Sequence, residues 1–256
     1  MPKAAGLYYF AHEANNHSRP PVILIHGAGG SHLSWPPQLR RLHAQRIFAP
    51  DLPAHGKSEG IGHHAVEDYV QTILEFMSEI GIYSAILVGH SMGSAVALSA
   101  ALCFPQRVIA LGLIGSAGRL HISPALLRAA SDSSTFESAV RMLNDASFSP
   151  RSHRIKELST QRMMETRPPV LYGDLMACES FDVRGQLSSF SIPTLVVCGL
   201  DDKMTPLPHS KFLRDHIAGA HLEVVSDAGH MVMLEQPDIV SGLLADFLDS
   251  IPLHSN

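Results

Sequence analysis

Ala85-Ile86-Leu87-Val88-Gly89-His90-Ser91-Met92-Gly93-Ser94-Ala95-Val96-Ala97-Leu98-Ser99-Ala100 changes character once, at Ser91. Residues 85–89 form an apolar run without a polar break, which suits a strand buried on both faces. The residues after it are rich in Ala and Leu and predict a helix over 94–104 that stops before Pro105. A serine at so sharp a strand-to-helix turn is held in a strained backbone conformation. Its neighbours two residues either side approach closely and must be small, and Gly89 and Gly93 meet that need. The turn lifts the hydroxyl above the sheet edge. The start of the helix leaves unpaired N–H groups beside it, that of Met92 among them.

Five further runs have the same aliphatic character, at 21–25, 46–50, 108–114, 194–198 and 221–225. Residues 7–12 read as an added edge strand. Helical patterns lie between them. In 66–80, Val66, Tyr69, Val70, Ile73, Leu74, Met77 and Ile80 fall on one stripe, and 239–247 repeats the pattern. This alternation predicts an α/β fold, an open sheet with helices on both faces. One stretch breaks the rhythm. Residues 119–168 contain no good strand run and read as short helices at 124–130, 136–143 and 153–164. They form a helical insertion large enough to act as a lid, with Pro168-Pro169 marking the return to the sheet.

Composition narrows the function classes. The chain has 256 residues, 45% hydrophobic and 17% charged, which supplies a sizeable core and excludes intrinsic disorder. The net charge of −5 without a Lys/Arg cluster argues against nucleic acid. No stretch approaches the about 20 continuous apolar residues of a membrane helix, and residues 1–10 do not read as a secretory signal. Cys103, Cys178 and Cys198 are widely spaced in apolar surroundings and read as reduced core residues of a cytoplasmic protein. There is no CxxC and no HExxH, so no zinc signature.

Taken together, several motifs resemble the α/β-hydrolase fold superfamily, of the serine esterase type. They are His26-Gly27-Ala28-Gly29-Gly30, Asp51-Leu52-Pro53-Ala54-His55-Gly56-Lys57-Ser58, Gly89 to Gly93, Gly199-Leu200-Asp201-Asp202-Lys203-Met204-Thr205-Pro206 and Asp227-Ala228-Gly229-His230. They span nearly the whole chain, in the family's order of serine, acid, histidine. The resemblance implies a mostly parallel, doubly wound sheet of 7–8 strands, with a helical cap inserted after the sixth strand. On this reading the core comprises 1–118 and 169–256, and the cap 119–168. The chain departs from the family at Ala54, where many relatives have Gly, and in a short N-terminus that leaves little room for the first edge strand.

Serine needs a base within hydrogen-bond reach. His230 follows the 221–225 strand, on the sheet edge that also carries Ser91 if the strands are parallel. Asp201 and Asp202 both follow the 194–198 strand, and Asp227 is a third carboxylate. The family pattern, a Gly three residues before the acid and a Pro four after, selects Asp202. Asp201 then reads as a turn residue, and Asp227 as ordering the His230 loop. The resemblance implies an oxyanion hole from the Ala28 and Met92 N–H groups. His26 reads as a structural loop residue.

Gly29, Trp35, Leu120, Met142, Met204 and Met231 are candidate substrate contacts, on the argument that methionine gives an adaptable apolar pocket. Arg119, Arg128 and Arg141 are the lid cations considered for gripping a carboxylate; none is placed convincingly, which favours neutral, apolar esters.

The expected activity is hydrolysis of small to medium, largely apolar carboxylic esters through an acyl-enzyme, without metal or organic cofactor, by a monomer or homodimer. The same triad serves carbon–carbon bond hydrolases, thioesterases and perhydrolases. A ligand receptor on a hydrolase scaffold, with slow turnover, is the alternative of another class. Epoxide hydrolases and dehalogenases of this fold use an Asp nucleophile, and Ser91 argues against both.

Overall fold

The computed structural model describes residues 2–13, 19–189 and 191–252. Eight strands form one sheet: β1 (Lys3–Ala4), β2 (Leu7–His12), β3 (Val22–Ile25), β4 (Ile47–Pro50), β5 (Ala85–His90), β6 (Val108–Ile114), β7 (Thr194–Gly199) and β8 (Ala220–Val225). Their order is β1-β2-β4-β3-β5-β6-β7-β8. β1 and β2 are antiparallel to their neighbours, and every other pairing is parallel. The expected α/β sheet is therefore present. The first edge strand is present too, compressed to two residues.

The helices are α1 (Pro37–Arg40), α2 (Val66–Glu79), α3 (Met92–Cys103), α4 (Pro124–Ala130), α5 (Phe136–Ser147), α6 (His153–Met163), α7 (Pro168–Ser180), α8 (Leu207–His216), α9 (Val232–Glu235) and α10 (Pro237–Ser250). Alternate residues of each central strand serve opposite layers. In β3, Ile23 and Ile25 join the layer built with α2, α3, α8 and the insertion. Val22 and Leu24 join the layer with α1, α9 and α10. Both faces are thus covered, which is why these strands are uniformly aliphatic. Each buried Leu, Ile or Val contributes about 1.5–3 kcal/mol.

The insertion between β6 and β7 is closed at a neck. Arg119 bridges Asp182, and the Val183 N–H donates to the Gly118 carbonyl (2.8 Å). Pro168-Pro169 therefore does not end the excursion but opens a fourth helix, α7. Proline at the first helical positions is favoured, since its missing N–H would have no partner there. Cys178 and Cys198 are buried, whereas Cys103, at the end of α3, is exposed. No helix among the described residues is long and apolar enough to cross a membrane.

Candidate active site

β5 lies at the centre of the sheet and runs directly into α3 through Ser91, whose backbone adopts φ +53° and ψ −116°. This is strained for a residue with a Cβ. The turn closes only because of the flanking glycines: a Cβ on Gly89 would overlap the Gly93 carbonyl, and one on Gly93 would overlap that of Ile25. Met92 is the first residue of α3. Its side chain is fully buried, and its N–H lies at the unpaired helix start beside Ser91. Ala28 and Gly29, on the loop after β3, line the same cavity as Ser91.

His230 and Asp202 meet on two loops, after β8 and β7. His230 Nδ1 lies 2.9 Å from Asp202 Oδ2. Asp202 also accepts from the Met204 N–H (2.8 Å), the Thr205 N–H (2.8 Å) and the Thr205 hydroxyl (2.9 Å). Burial alone would raise its pKa. The charge and hydrogen bond of His230, with the Thr205 donors, outweigh burial and hold the carboxyl well below the usual carboxylate range. With Nδ1–H donated to Asp202, His230 Nε2 is left as the basic nitrogen. Ser91 and His230 line one cavity. No hydrogen bond joins their side chains, and such contacts commonly tighten only around a substrate.

Asp201 is exposed and accepts from the Ser149 hydroxyl (3.1 Å). Asp227 has φ +55° and pairs with Arg151. Both carboxylates thus tie their loops to the insertion. Glu235 does so more firmly. Its carboxylate accepts from the Gly229 N–H (2.8 Å), the Ser149 N–H (2.9 Å) and the Ser152 hydroxyl (2.7 Å). His26 is fully buried and accepts the Leu52 N–H at Nε2 (3.0 Å), while its Nδ1 donates to the Gly27 carbonyl (2.8 Å). Burial, then the neighbouring His55 charge, lower its pKa to about 4. It is a neutral loop-builder.

His90 was not singled out in the sequence. Its ring packs at a tilt against that of His230, with centroids 4.8 Å apart, and its Nε2 donates to the His230 carbonyl (3.1 Å). Burial, then the His230 charge, lower its pKa to about 3, so it is neutral. The signal available was position alone: it precedes the serine at the end of the central strand.

The cavity encloses about 800 Å³ between the sheet edge and the insertion. Gly29, Met204 and Met231 line it, and so do Leu143, Met163 and Leu175. Trp35, Leu120 and Met142 do not. Trp35 is fully buried on the opposite face of the sheet, packed with Leu39 and α10. Leu120 is enclosed in the apolar layer beneath the insertion. Met142 is 41% exposed; it neighbours Leu143, but successive helical residues point about 100° apart. Arg119, Arg128 and Arg141 are likewise absent from the lining, whereas Arg162 and Arg167 belong to it. Among the described residues no group of three His, Cys, Asp or Glu could hold a metal ion.

A family model for alpha/beta hydrolases matches residues 22–243. The chain belongs to the alpha/beta hydrolase family. Among its relatives is 3-oxoadipate enol-lactonase 1 of Acinetobacter baylyi, 26% identical over 91% of this chain and 90% of that protein. Another is 2-hydroxy-6-oxo-2,4-heptadienoate hydrolase of Pseudomonas putida, 30% identical over 89% of this chain and 88% of that one. Among solved structures, a thermophilic esterase superposes with a TM-score of 0.81 at 29% identity, covering 97% of this chain and all of that one. By name these relatives of the alpha/beta hydrolase family are a lactonase, a hydrolase and an esterase.

Proposed function

We propose that this alpha/beta hydrolase cleaves carboxylic esters of small to medium, largely apolar substrates through an acyl-enzyme intermediate. The observation that carries the reading is the buried Asp202–His230 hydrogen bond beside a cavity that also holds a backbone-strained Ser91.

In this mechanism Ser91 Oγ attacks the ester carbonyl carbon, and its proton passes to His230 Nε2. Asp202 fixes the tautomer and stabilises the imidazolium. The Ala28 and Met92 N–H groups take the charge that develops on the carbonyl oxygen. As the tetrahedral adduct collapses, the alcohol leaves with the proton from His230. Water then attacks the acyl-serine, giving its proton to His230, which returns it to Ser91. The helical insertion serves as the lid that shields this chemistry, and no cofactor takes part.

Arg162 and Arg167 in the lining support including esters and lactones with a distal carboxylate. The Pseudomonas putida relative supports a second reading, carbon–carbon bond hydrolysis by the same three residues. Purified protein assayed against p-nitrophenyl esters of graded chain length, a carboxylated enol-lactone and a vinylogous diketone separates these. The ester reading expects the highest kcat/KM on an ester or lactone. Preference for the diketone would move the assignment to carbon–carbon cleavage. Turnover far below about 1 per second on all of them would favour a receptor role instead.

A further inference from the structure

The insertion carries one carboxylate whose position no surface role explains. Asp174 lies in the middle of α7, fully buried. A buried carboxylate is costly unless it is fully paired, and this one is. Its Oδ1 accepts the Tyr69 hydroxyl (2.5 Å). Its Oδ2 accepts from His55 Nε2 (2.8 Å) and from the backbone N–H of Gly29 (2.8 Å).

His55 makes the pairing ionic. Its Nδ1 faces the Pro53 carbonyl at 2.9 Å and its Nε2 faces Asp174. Both partners are acceptors, so both ring nitrogens carry hydrogen and the ring is an imidazolium. Burial opposes that charge, and Asp174 outweighs burial to raise the pKa. Hydrogen bonds to charged groups are about twice as strong as neutral ones, so the Gly29 N–H is held firmly.

Gly29 is one residue past Ala28. Its N–H is taken by Asp174, and its carbonyl accepts the Thr166 hydroxyl (3.2 Å). Both ends of the residue that fixes the direction of this loop are thus gripped by the insertion. Gly29 has φ +62°, and a turn bond from the Gly30 N–H to the Gly27 carbonyl (3.1 Å) closes the loop behind it. The approach of α7 is itself prepared. At Gly173, beside Asp174, a Cβ would lie 2.7 Å from the His63 carbonyl oxygen.

We infer that Asp174 is a positioning residue for the oxyanion hole. Through Gly29 it sets the direction of the Ala28 N–H, and His55 and Tyr69 set Asp174. The inference rests on the ester-hydrolysis reading, in which Ala28 is an oxyanion donor. It makes the insertion part of the catalytic geometry as well as a cover. A loop donor displaced by about 1 Å loses much of its effect on the transition state while leaving substrate binding intact.

The test compares wild type, Asp174→Asn and Tyr69→Phe on one p-nitrophenyl ester and against a trifluoromethyl ketone, whose hemiketal oxyanion occupies the hole. Asp174→Asn keeps the shape but gives Gly29 a neutral acceptor. Its kcat should fall about 10–100-fold with KM within about threefold, and the ketone should bind weaker by the factor lost in kcat/KM. Tyr69→Phe, which frees Oδ1, should lose about 3–10-fold in kcat on the same pattern. A folded Asp174→Asn with kcat within twofold of wild type, or a loss confined to KM, overturns the inference. If Asp174→Asn does not fold, Tyr69→Phe decides by the same criteria. Ser91→Ala is run alongside. If it retains turnover, the underlying reading falls; if it is inactive while folded Asp174→Asn keeps kcat within twofold of wild type, only the positioning role falls.

Discussion

His230 Nδ1 and Asp202 Oδ2 sit 2.9 Å apart on loops that leave neighbouring parallel strands at the same end of the sheet. Twenty-eight residues of chain separate them. The carboxylate is not available to any other base, because its remaining lone pairs are filled by the Met204 and Thr205 donors. The geometry therefore commits Asp202 to one tautomer of one histidine.

Replacing that carboxylate by an amide isolates this commitment. Asp202→Asn keeps the volume but offers an N–H where His230 needs an acceptor. The ring should flip to the wrong tautomer, and kcat should drop by about 10³–10⁴ with the fold retained. Steady-state kinetics with circular dichroism as the fold control checks it; a loss below tenfold would contradict the role.

Acid sensitivity follows from two buried neutral histidines. The folded pKa values of His26 and His90 are lowered to about 4 and about 3, from 6.5. Below pH 6.5 the unfolded chain takes up protons that the fold refuses. Stability is then lost as pH falls from 6.5 towards those lower values, and each group adds about 1.4 kcal/mol per pH unit to the slope. Denaturant unfolding of wild type and His90→Gln between pH 6.5 and 4.5 measures it. The variant, which retains a donor for the His230 carbonyl, should show a slope shallower by one proton. Identical slopes would contradict a neutral, buried His90.

Glu235 ties the His230 loop to the insertion with three accepted hydrogen bonds. Glu235→Leu strands the Gly229 and Ser149 N–H groups and should cost about 3 kcal/mol. Amide exchange should accelerate at 147–152 and 228–231 ahead of the rest of the chain. Uniform acceleration, or none, would deny that this carboxylate is the local tie.

Much of this architecture is legible in the amino-acid sequence. Ile23 and Val22 face different layers, yet both are aliphatic, and that doubling is what marks a strand covered on both sides. Ser91 was legible because the sequence around it changes period and places glycine at the two close approaches. Other features were hidden by the same physics. α8 buries only Ser210 and Leu213, so its apolar stripe is too thin to read. Pro168 signals both a break and a helix start, and only the neck at Gly118 and Val183 shows which. Asp174 sits in the largely apolar middle of α7; its partners Tyr69 and Gly29 lie 105 and 145 residues away. A buried acid announces that it has partners without naming them. The methionines misled for a related reason. Composition suggested an adaptable pocket, but Met142 faces solvent and Met92 is core, leaving Met163, Met204 and Met231 on the cavity.

The most direct measurement is covalent. Purified wild type is treated with a fluorophosphonate, assayed for residual ester hydrolysis, and digested for mass spectrometry beside Ser91→Ala. The account predicts one phosphonate per chain, on Ser91, with activity lost in proportion to labelling, and an unlabelled variant whose kcat is about 10⁶-fold lower. Label on another residue, or ester turnover by Ser91→Ala above about a hundredth of wild type, would contradict it.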